Sequence, residues 1–252
     1  MKLTFLGSGT SHGIPVIGCS CDVCQSTDER DKRWRSSLLV ENEDTTLVID
    51  TGYEFRLQML RAKIKKLDGV LYTHAHADHL MGLDDLRVFC REQNMDIYAP
   101  AGILNSIKKT FGYAFNAFPG LGIPQLNANS VEPHVPFRIG SLEIIPIPVK
   151  HGTYDISGYR IGNIAYITDV SDIQIEWNRD YLQNLDILII GALREKPHPT
   201  HYSFSEAISA TKELKAKRVI FTHMNHATSH AVIAERYKGI AEPAYDMLTL
   251  EV

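Results

Sequence analysis

The stretch Leu71-Tyr-Thr-His74-Ala-His76-Ala-Asp78-His79 places three imidazoles and a carboxylate within six residues, directly after an apolar run. Imidazole combined with carboxylate suits Zn²⁺, Mn²⁺ or Fe²⁺. His74 and His76 are two apart in an extended segment, so their rings fall on one side. Asp78 and His79 follow where a helix begins. Four ligands in such a spread cannot all serve one ion and leave room for a substrate, so the first pair points to one metal and the second pair to another. Each ion then needs further partners. Three stand just past apolar runs: His151 after Ile147-Pro-Val-Lys150, Asp169 after Ala165-Tyr-Ile-Thr168, and His223 after Ile220-Phe-Thr222. Any one alone is ordinary strand-end structure; together they form a coherent ligand set.

A second concentration lies in His12-Gly-Ile-Pro-Val-Ile-Gly-Cys19-Ser-Cys21-Asp-Val-Cys24-Gln-Ser26. Three thiols this close read as a metal clip, but a closed zinc site takes four ligands and this segment supplies three. The remaining cysteine, Cys90, sits on an apolar helix face and reads as a core thiol. With three of four cysteines crowded together and no signal peptide at Met1-Lys-Leu-Thr-Phe-Leu6, metal binding is the expectation rather than disulfides, in a cytoplasmic protein.

The elements that must position these groups are short. Strands are predicted at Lys2–Leu6, Ser37–Glu41, Thr46–Asp50, Gly69–Thr73, Asp96–Ala99, Leu142–Val149, Gly158–Ile161, Ile164–Thr168, Ile187–Ile190, Arg218–Thr222 and Met247–Val252, rich in Val, Ile and Leu and bounded by Gly, Asp, Asn or Pro. Helices are predicted at Glu54–Lys65, Leu83–Glu92, Ala101–Thr110, Tyr181–Asn184, Ser203–Leu214 and His230–Tyr237, with Ser203 or Ser205 as a cap. Pro146 and Pro148 mark Leu142–Val149 as an edge or terminal strand, because neither can donate to a ladder. The segment Phe111–Pro124, with four aromatics among Gly and Pro, reads as a lid, an interface or an irregular stretch packed on the core. Hairpins precede alternating strands and helices in both halves of the chain. This predicts one α/β domain over residues 1–252, two mixed sheets packed together with helices outside.

The whole chain has 252 residues with Lys+Arg 26 and Asp+Glu 30, a net charge of −4. That balance gives no general attraction to nucleic acid or an anionic membrane. The basic groups Arg61-Ala-Lys63-Ile-Lys65-Lys66 and Lys215-Ala-Lys217-Arg218 read as solvated helix ends. No apolar run approaches the ~20 residues of a membrane span.

His74-x-His76-x-Asp78-His79 with the later His151, Asp169 and His223 resembles the metallo-β-lactamase-fold hydrolase superfamily. The resemblance implies an αββα sandwich with a two-metal site along the sheet edge. It implies that His74, His76 and His151 hold one metal, that Asp78, His79 and His223 hold the other, and that Asp169 bridges them. Asp50, in Leu47-Val-Ile-Asp-Thr-Gly52, matches the superfamily's first motif, with an implied part in orienting the metal loop. A bridging aspartate is typical of branches that cleave phosphodiesters or thioesters, which sets the lactamases aside. Thioesterases of the glyoxalase II kind build a substrate site from further C-terminal helices, where this sequence reads as strand. The tRNA-maturing endonucleases share the ligands but use a basic Gly/Pro-rich arm for which the stretch between Asp169 and His223 leaves little room.

The run Gly7-Ser-Gly-Thr-Ser-His12-Gly-Ile-Pro-Val-Ile-Gly-Cys19-Ser-Cys21-Asp-Val-Cys24 narrows the resemblance. It is similar to a group that includes the cyclic phosphodiesterase of the carbon–phosphorus lyase pathway and, more distantly, the pyrroloquinoline-quinone-synthesis protein. By that resemblance the clip takes a late histidine, here His226 in Thr222-His-Met-Asn-His226, and holds a structural zinc. A histidine matching His201, in Arg194-Glu-Lys-Pro-His198-Pro-Thr-His201, is thought to act on the substrate. The implied function is a phosphodiesterase for small cyclic or linear diesters, with two active-site Mn or Zn ions and one structural Zn. A hydroxide shared by the two ions attacks phosphorus in line, His201 protonates the leaving oxygen, and Asp78 belongs with His201 to the reacting machinery. A nuclease of the tRNA-processing kind, or a non-hydrolytic quinone-cofactor protein on the same fold, is the alternative. The expected partner is a small phosphodiester, not a membrane or nucleic acid beyond small cyclic nucleotides; a homodimer is the working assumption for oligomeric state. His12 lies in the first loop as a candidate to face the site, and His134 and His230 read as loop residues.

Overall fold

The computed structural model describes residues 1–90, 93–115 and 122–252. Its strands are β1 (Lys2–Gly7), β2 (Ser37–Glu41), β3 (Thr46–Ile49), β4 (Gly69–Leu71), β5 (Met95–Ala99), β6 (Leu126–Ser130), β7 (Phe137–Ile139), β8 (Leu142–His151), β9 (Tyr154–Ile161), β10 (Ile164–Ile167), β11 (Ile187–Gly191), β12 (Arg218–Thr222), β13 (Glu242–Pro243) and β14 (Thr249–Glu251). The helices are α1 (Asp22–Gln25), α2 (Phe55–Ala62), α3 (Ala77–Leu80), α4 (Ala101–Thr110), α5 (Ile175–Asn178), α6 (Phe204–Leu214) and α7 (His230–Arg236). One sheet runs β14-β1-β2-β3-β4-β5-β6 and the other β13-β12-β11-β10-β9-β8-β7. Each joins an antiparallel hairpin region to a parallel one: β2–β3 is antiparallel and β3–β4 parallel, β9–β10 antiparallel and β10–β11 parallel.

The apolar runs are nearly continuous because both faces of each sheet are covered. Alternate residues separate into different cores. Leu38, Val40, Leu47 and Ile49 meet Tyr159, Ile161, Tyr166 and Ile189 between the sheets. Leu39, Val48, Val70 and Ile97 face outward under Phe55 and Met59 of α2 and Ile103, Leu104 and Ile107 of α4. Leu188, Ile190 and Phe221 do the same under Phe204 and Ala207 of α6 and Ile233 of α7. The result is two mixed sheets face to face with helices on both outsides, the αββα arrangement predicted.

Several elements differ from the sequence expectation. β8 is not an edge strand, since β7 pairs with its first residues through Phe137–Ile144 and Ile139–Leu142. Pro146 and Pro148 fall beyond the end of β7, where β8 has only β9 beside it, which is why they are tolerated. β8 also runs on to His151, and β9 starts at Tyr154 rather than Gly158. β6, sequence Leu-Asn-Ala-Asn-Ser, and the three-residue β7 are too polar or too short to read as strands. Leu83–Phe89 is a 3₁₀ helix rather than α-helix, and the helix predicted at Tyr181–Asn184 is displaced to α5. Ser203 caps α6 in a reciprocal capping box: its Oγ accepts from the Glu206 N–H at 3.3 Å, and Glu206 accepts from the Ser203 N–H at 2.7 Å. Residues 116–121 of the aromatic segment lie outside the described residues. Among the described residues no helix is long and apolar enough to cross a membrane.

Candidate metal centre

The ligand-type residues collect where the carboxyl ends of strands from both sheets meet. Asp50 follows β3 and the Thr73–His79 loop follows β4 in one sheet; His151 ends β8, and Asp169 and His223 follow β10 and β12 in the other. Asp50, Asp169 and His223 all turn with left-handed backbone, at φ of 64°, 53° and 58°. For residues other than glycine such turns cost energy and cluster where side chains must be aimed.

Asp50 is the hub. Fully buried, it accepts from the Thr73 N–H at 2.8 Å with Oδ1 and from the Thr73 hydroxyl at 2.7 Å with Oδ2. The same Oδ2 accepts from His79 Nδ1 at 2.7 Å. Because the Thr73 hydroxyl proton is committed to Asp50, the network assigns His74 Nδ1 as donor to Thr73 Oγ, at 3.0 Å. His151 is braced separately, its Nδ1 donating to the Thr200 carbonyl at 2.7 Å. Each of these rings therefore has its proton on Nδ1 and its lone pair on Nε2.

Those lone pairs converge. His74 Nε2, His79 Nε2 and both ring nitrogens of His223 are buried without a hydrogen-bond partner. Asp169 Oδ1 lies 3.2 Å from His79 Nε2 and 3.2 Å from His223 Nε2, while its Oδ2 is 3.9 Å from His74 Nε2. Asp78 Oδ2 stands 3.2 Å from His79 Nε2 and 3.5 Å from His223 Nε2. Two groups result, each with its ligand atoms within 4.8 Å of one another: His74, His76 and His151, and Asp78, His79, Asp169 and His223. Buried orphan nitrogens facing carboxylates, with five imidazoles and, among the described residues, no Lys or Arg paired to those carboxylates, are the donor set of a divalent metal pair. Burial, aided by His79, drives His74 well below the usual imidazole range, and burial then His151 lower His76; both favour the neutral ligand form. Burial works against the charged forms of His79, Asp78 and Asp169, but their mutual attraction outweighs it, raising His79 well above the usual imidazole range and holding both carboxyls below theirs, so an ion at His79 Nε2 would take the place of a proton.

His201 also reaches this place. Its Nδ1 is 3.9 Å from Asp169 Oδ2, and its ring centroid is 4.6 Å from that of His151 and 5.0 Å from that of His223. It forms a third tight group with His151 and Asp169. Burial, then His223, lowers its pKa to about 3. His198 stands one ring further out, 5.1 Å from His201. His12 joins none of these groups; it lines a cavity of about 230 Å³ with Arg35 and Glu54. His134 sits in a turn, stacked 4.0 Å from Tyr181. His230 is not a loop residue: it opens α7, and its buried N–H donates to Asp31 at 2.7 Å. Cys90 is buried beside the Leu86 carbonyl, a core thiol as expected.

The cysteine cluster meets His226, the candidate fourth ligand, from the far end of the chain. The sulfurs of Cys19, Cys21 and Cys24 lie 3.4, 3.3 and 3.5 Å from His226 Nδ1. A tetrahedral zinc with ordinary Zn–S and Zn–N bonds has S···N edges of about 3.5 Å. The Cys24 N–H, then His226, lower the Cys21 thiol to about 6, whereas burial pushes Cys24 up to about 11.

Sequence reasoning missed two braces, Thr73 and Thr200. Thr73 carried a signal, a hydroxyl directly before the first ligand; Thr200 carried none, since its part is played by a backbone carbonyl.

Comparison with known proteins agrees with this geometry. Residues 45–224 match the family described as beta-lactamase superfamily domain. The chain superposes on a crystal structure of a diphosphatase from the PhnP family with a TM-score of 0.92 and 40% identity, covering 100% of this chain and 96% of that one. It is 38% identical to a Porphyromonas gingivalis protein named octanoyltransferase, over 96% of this chain and 49% of that protein. It is 25% identical to ribonuclease Z of Haloarcula marismortui, over 71% of this chain and 51% of that enzyme. The chain thus spans about half the length of the curated relatives it matches. The fold and these likenesses agree: the chain belongs to the beta-lactamase superfamily and, within it, to the PhnP family.

Proposed function

We propose that the chain is a phosphodiesterase acting on small cyclic or linear diesters or diphosphates, with a metal pair at the histidine cluster and a structural zinc at the cysteine clip. The observation that carries the reading is Asp169, one carboxylate whose two oxygens reach His79 and His223 on one side and His74 on the other. The likeness to a PhnP-family diphosphatase supports phosphorus as the centre attacked.

His74, His76 and His151, and Asp78, His79, Asp169 and His223, would hold two divalent ions, which would supply Lewis acidity toward a phosphoryl oxygen and lower the pKa of water. The chain's own groups do the rest. Asp50 holds His79 directly and His74 through Thr73, so one buried carboxylate orients a ligand of each ion. Asp78 stays ionised beside His79 and His223 and keeps the second group acidic. His201 directs a ring N–H toward the leaving oxygen. Held at about 3, it is neutral at pH 7 and protonates that oxygen only when an anionic phosphoryl group beside it draws a proton onto the ring. Replacing His201 by Ala is expected to cut turnover while leaving the content of bound metal intact.

The deciding experiment is a panel with Mn²⁺ or Zn²⁺ added: bis(4-nitrophenyl) phosphate, cyclic nucleotides, a phosphoribosyl cyclic phosphate, a diphosphate diester, a thioester, a lactam and precursor tRNA. Absence of turnover of every phosphodiester and diphosphate would sink the reading. The ribonuclease Z likeness favours precursor tRNA as the second candidate, and cleavage of it alone would shift the assignment there.

A further inference from the structure

The hairpin between β8 and β9 places an exposed aromatic ring at the mouth of the metal centre. Tyr154 is the cross-strand partner of His151, joined to it by the two-residue turn Gly152-Thr153. Gly152 has φ +60°, and a side chain there would meet Thr200, the residue that braces His151. The hairpin tip is thus seated on the loop carrying His201. Tyr154 is 63% exposed, yet its ring stands edge-on to His76, with centroids 5.8 Å apart and planes at 82°. Neither the fold nor a hydrophobic core demands a large aromatic at this position, since the residue packs in none of the cores. His201 meets His151 with ring centroids 4.6 Å apart and lies among His223, Asp169 and His198, whereas the ring of Tyr154 meets His76.

We propose that Tyr154 is a stacking platform for the ester arm that remains on phosphorus, giving preference to substrates in which that arm carries a nucleobase or other aryl group. The inference rests on the phosphodiesterase reading. A tyrosine loses little rotamer freedom in such a role, and a ring already fixed by a tight hairpin needs no ordering when substrate arrives. Stacking tolerates any flat ring, so the site selects a class of arm and not one base.

The test uses two diesters with the same leaving group: thymidine 5′-(4-nitrophenyl phosphate) and methyl 4-nitrophenyl phosphate. Tyr154→Ala is expected to raise KM for the thymidine ester by about 5- to 100-fold, with kcat and bound metal unchanged, and to leave the methyl ester within about twofold. Tyr154→Phe is expected to keep the preference, because stacking needs the ring and not the hydroxyl. Parallel loss on both esters, or loss of bound metal, would make Tyr154 a prop for His76 and overturn the proposal, as would no change on either. Calorimetric titration with thymidine 5′-monophosphate against methyl phosphate reads the same preference without turnover. A wild type that binds the nucleotide through Tyr154 but cleaves neither ester would refute the reaction and keep the platform; equal affinity of wild type and Tyr154→Ala for the nucleotide would refute the platform whatever the reaction.

Discussion

In the histidine cluster His74, His79 and His151 each carry a hydrogen bond on the nitrogen that does not face the centre: His79 to Asp50, His74 to Thr73, His151 to the Thr200 carbonyl. In the cysteine clip the bracing is one-sided. Arg33, fully buried beside Asp31, donates to the Asn225 carbonyl at 2.6 Å and to the Thr228 carbonyl at 3.3 Å, so the turn carrying His226 is clamped on both flanks. The segment carrying Cys19, Cys21 and Cys24 has only a small cluster with Ile14 and Val23 beneath it. Its polar support is the Val16 N–H on Cys24 at 3.3 Å, the Cys19 N–H on the Val16 carbonyl at 3.0 Å and, earlier in the loop, the paired backbone bonds of Ile14 with Arg33 at 2.8 and 2.9 Å. The difference separates two ways of building a metal site. The rings of the centre are aimed by hydrogen bonds of the scaffold itself; a zinc at the clip, as proposed, would draw the cysteine loop onto a histidine already held and add rigidity there.

The sharpest way to break this comparison is to remove the residue that spans the centre. Asp169→Ala is expected to take phosphodiester turnover to background and to lose the pair of site ions while one zinc stays on the clip, as read by elemental analysis of the dialysed protein. Loss of all bound metal would mean that the two regions are not independent. Next in size is Asp50→Asn, which leaves the ligands in place but weakens the hold on His79 and Thr73. Metal affinity or turnover should fall about 10- to 100-fold, and excess Mn²⁺ or Zn²⁺ should restore part of it. A variant with wild-type affinity would show that the ion, not Asp50, positions the rings.

Much of the centre was legible because its residues are rare types at readable places. Three histidines and an aspartate after an apolar run, and His151, Asp169 and His223 at the ends of others, declare themselves through chemistry and strand pattern together. The relay from Asp50 through Thr73 to His74 was not legible, because it depends on which proton each group has already committed. The fourth ligand of the clip lies about two hundred residues from the cysteines, and residue spacing alone carries no such distance; family resemblance supplied it. Tyr154 left one faint signal, an aromatic three residues after a ligand-type histidine and beyond a glycine, hidden because β9 was expected to begin only at Gly158. β6 and β7 stayed unread for a simpler reason: Leu-Asn-Ala-Asn-Ser is polar, and β7 is three residues long.

Cys21→Ser tests the clip from its own side. One zinc should be lost, the melting temperature should fall, and turnover should fall by less than about tenfold, because the His226 turn keeps its Arg33 clamp and His223 its place. Retention of zinc and full activity would remove the clip from the account. A loss as deep as that of Asp169→Ala would show that the clip ion positions His223 directly.

The smallest expected effect concerns the strap between the two regions. Asp246 accepts from the Ser8 N–H at 3.0 Å, the Ser8 hydroxyl at 2.8 Å and the Trp34 N–H at 2.7 Å, and the Ser8 carbonyl in turn accepts from the Met224 N–H beside His223. Burial pushes its carboxyl up to about 7 against those donors. Between the ordinary aspartate value and about 7 the folded protein therefore holds a proton that the unfolded chain has released. Stability from this group falls as pH rises through that window, by up to about 1.4 kcal/mol per unit, and levels off above it. His230 works in the opposite sense: burial, then Arg30, lowers it to about 4, so the folded state excludes a proton that the unfolded imidazole binds, and stability rises with pH up to the ordinary imidazole range. The total slope mixes the two, whereas the difference between wild type and Asp246→Asn isolates the strap. Urea midpoints from pH 5 to pH 8 should show the wild type losing ground to the variant as pH climbs to about 7 and holding a constant gap beyond. A gap that does not change with pH would mean that the Ser8 and Trp34 donors keep Asp246 ionised throughout, and that the join between centre and clip is insensitive to protons.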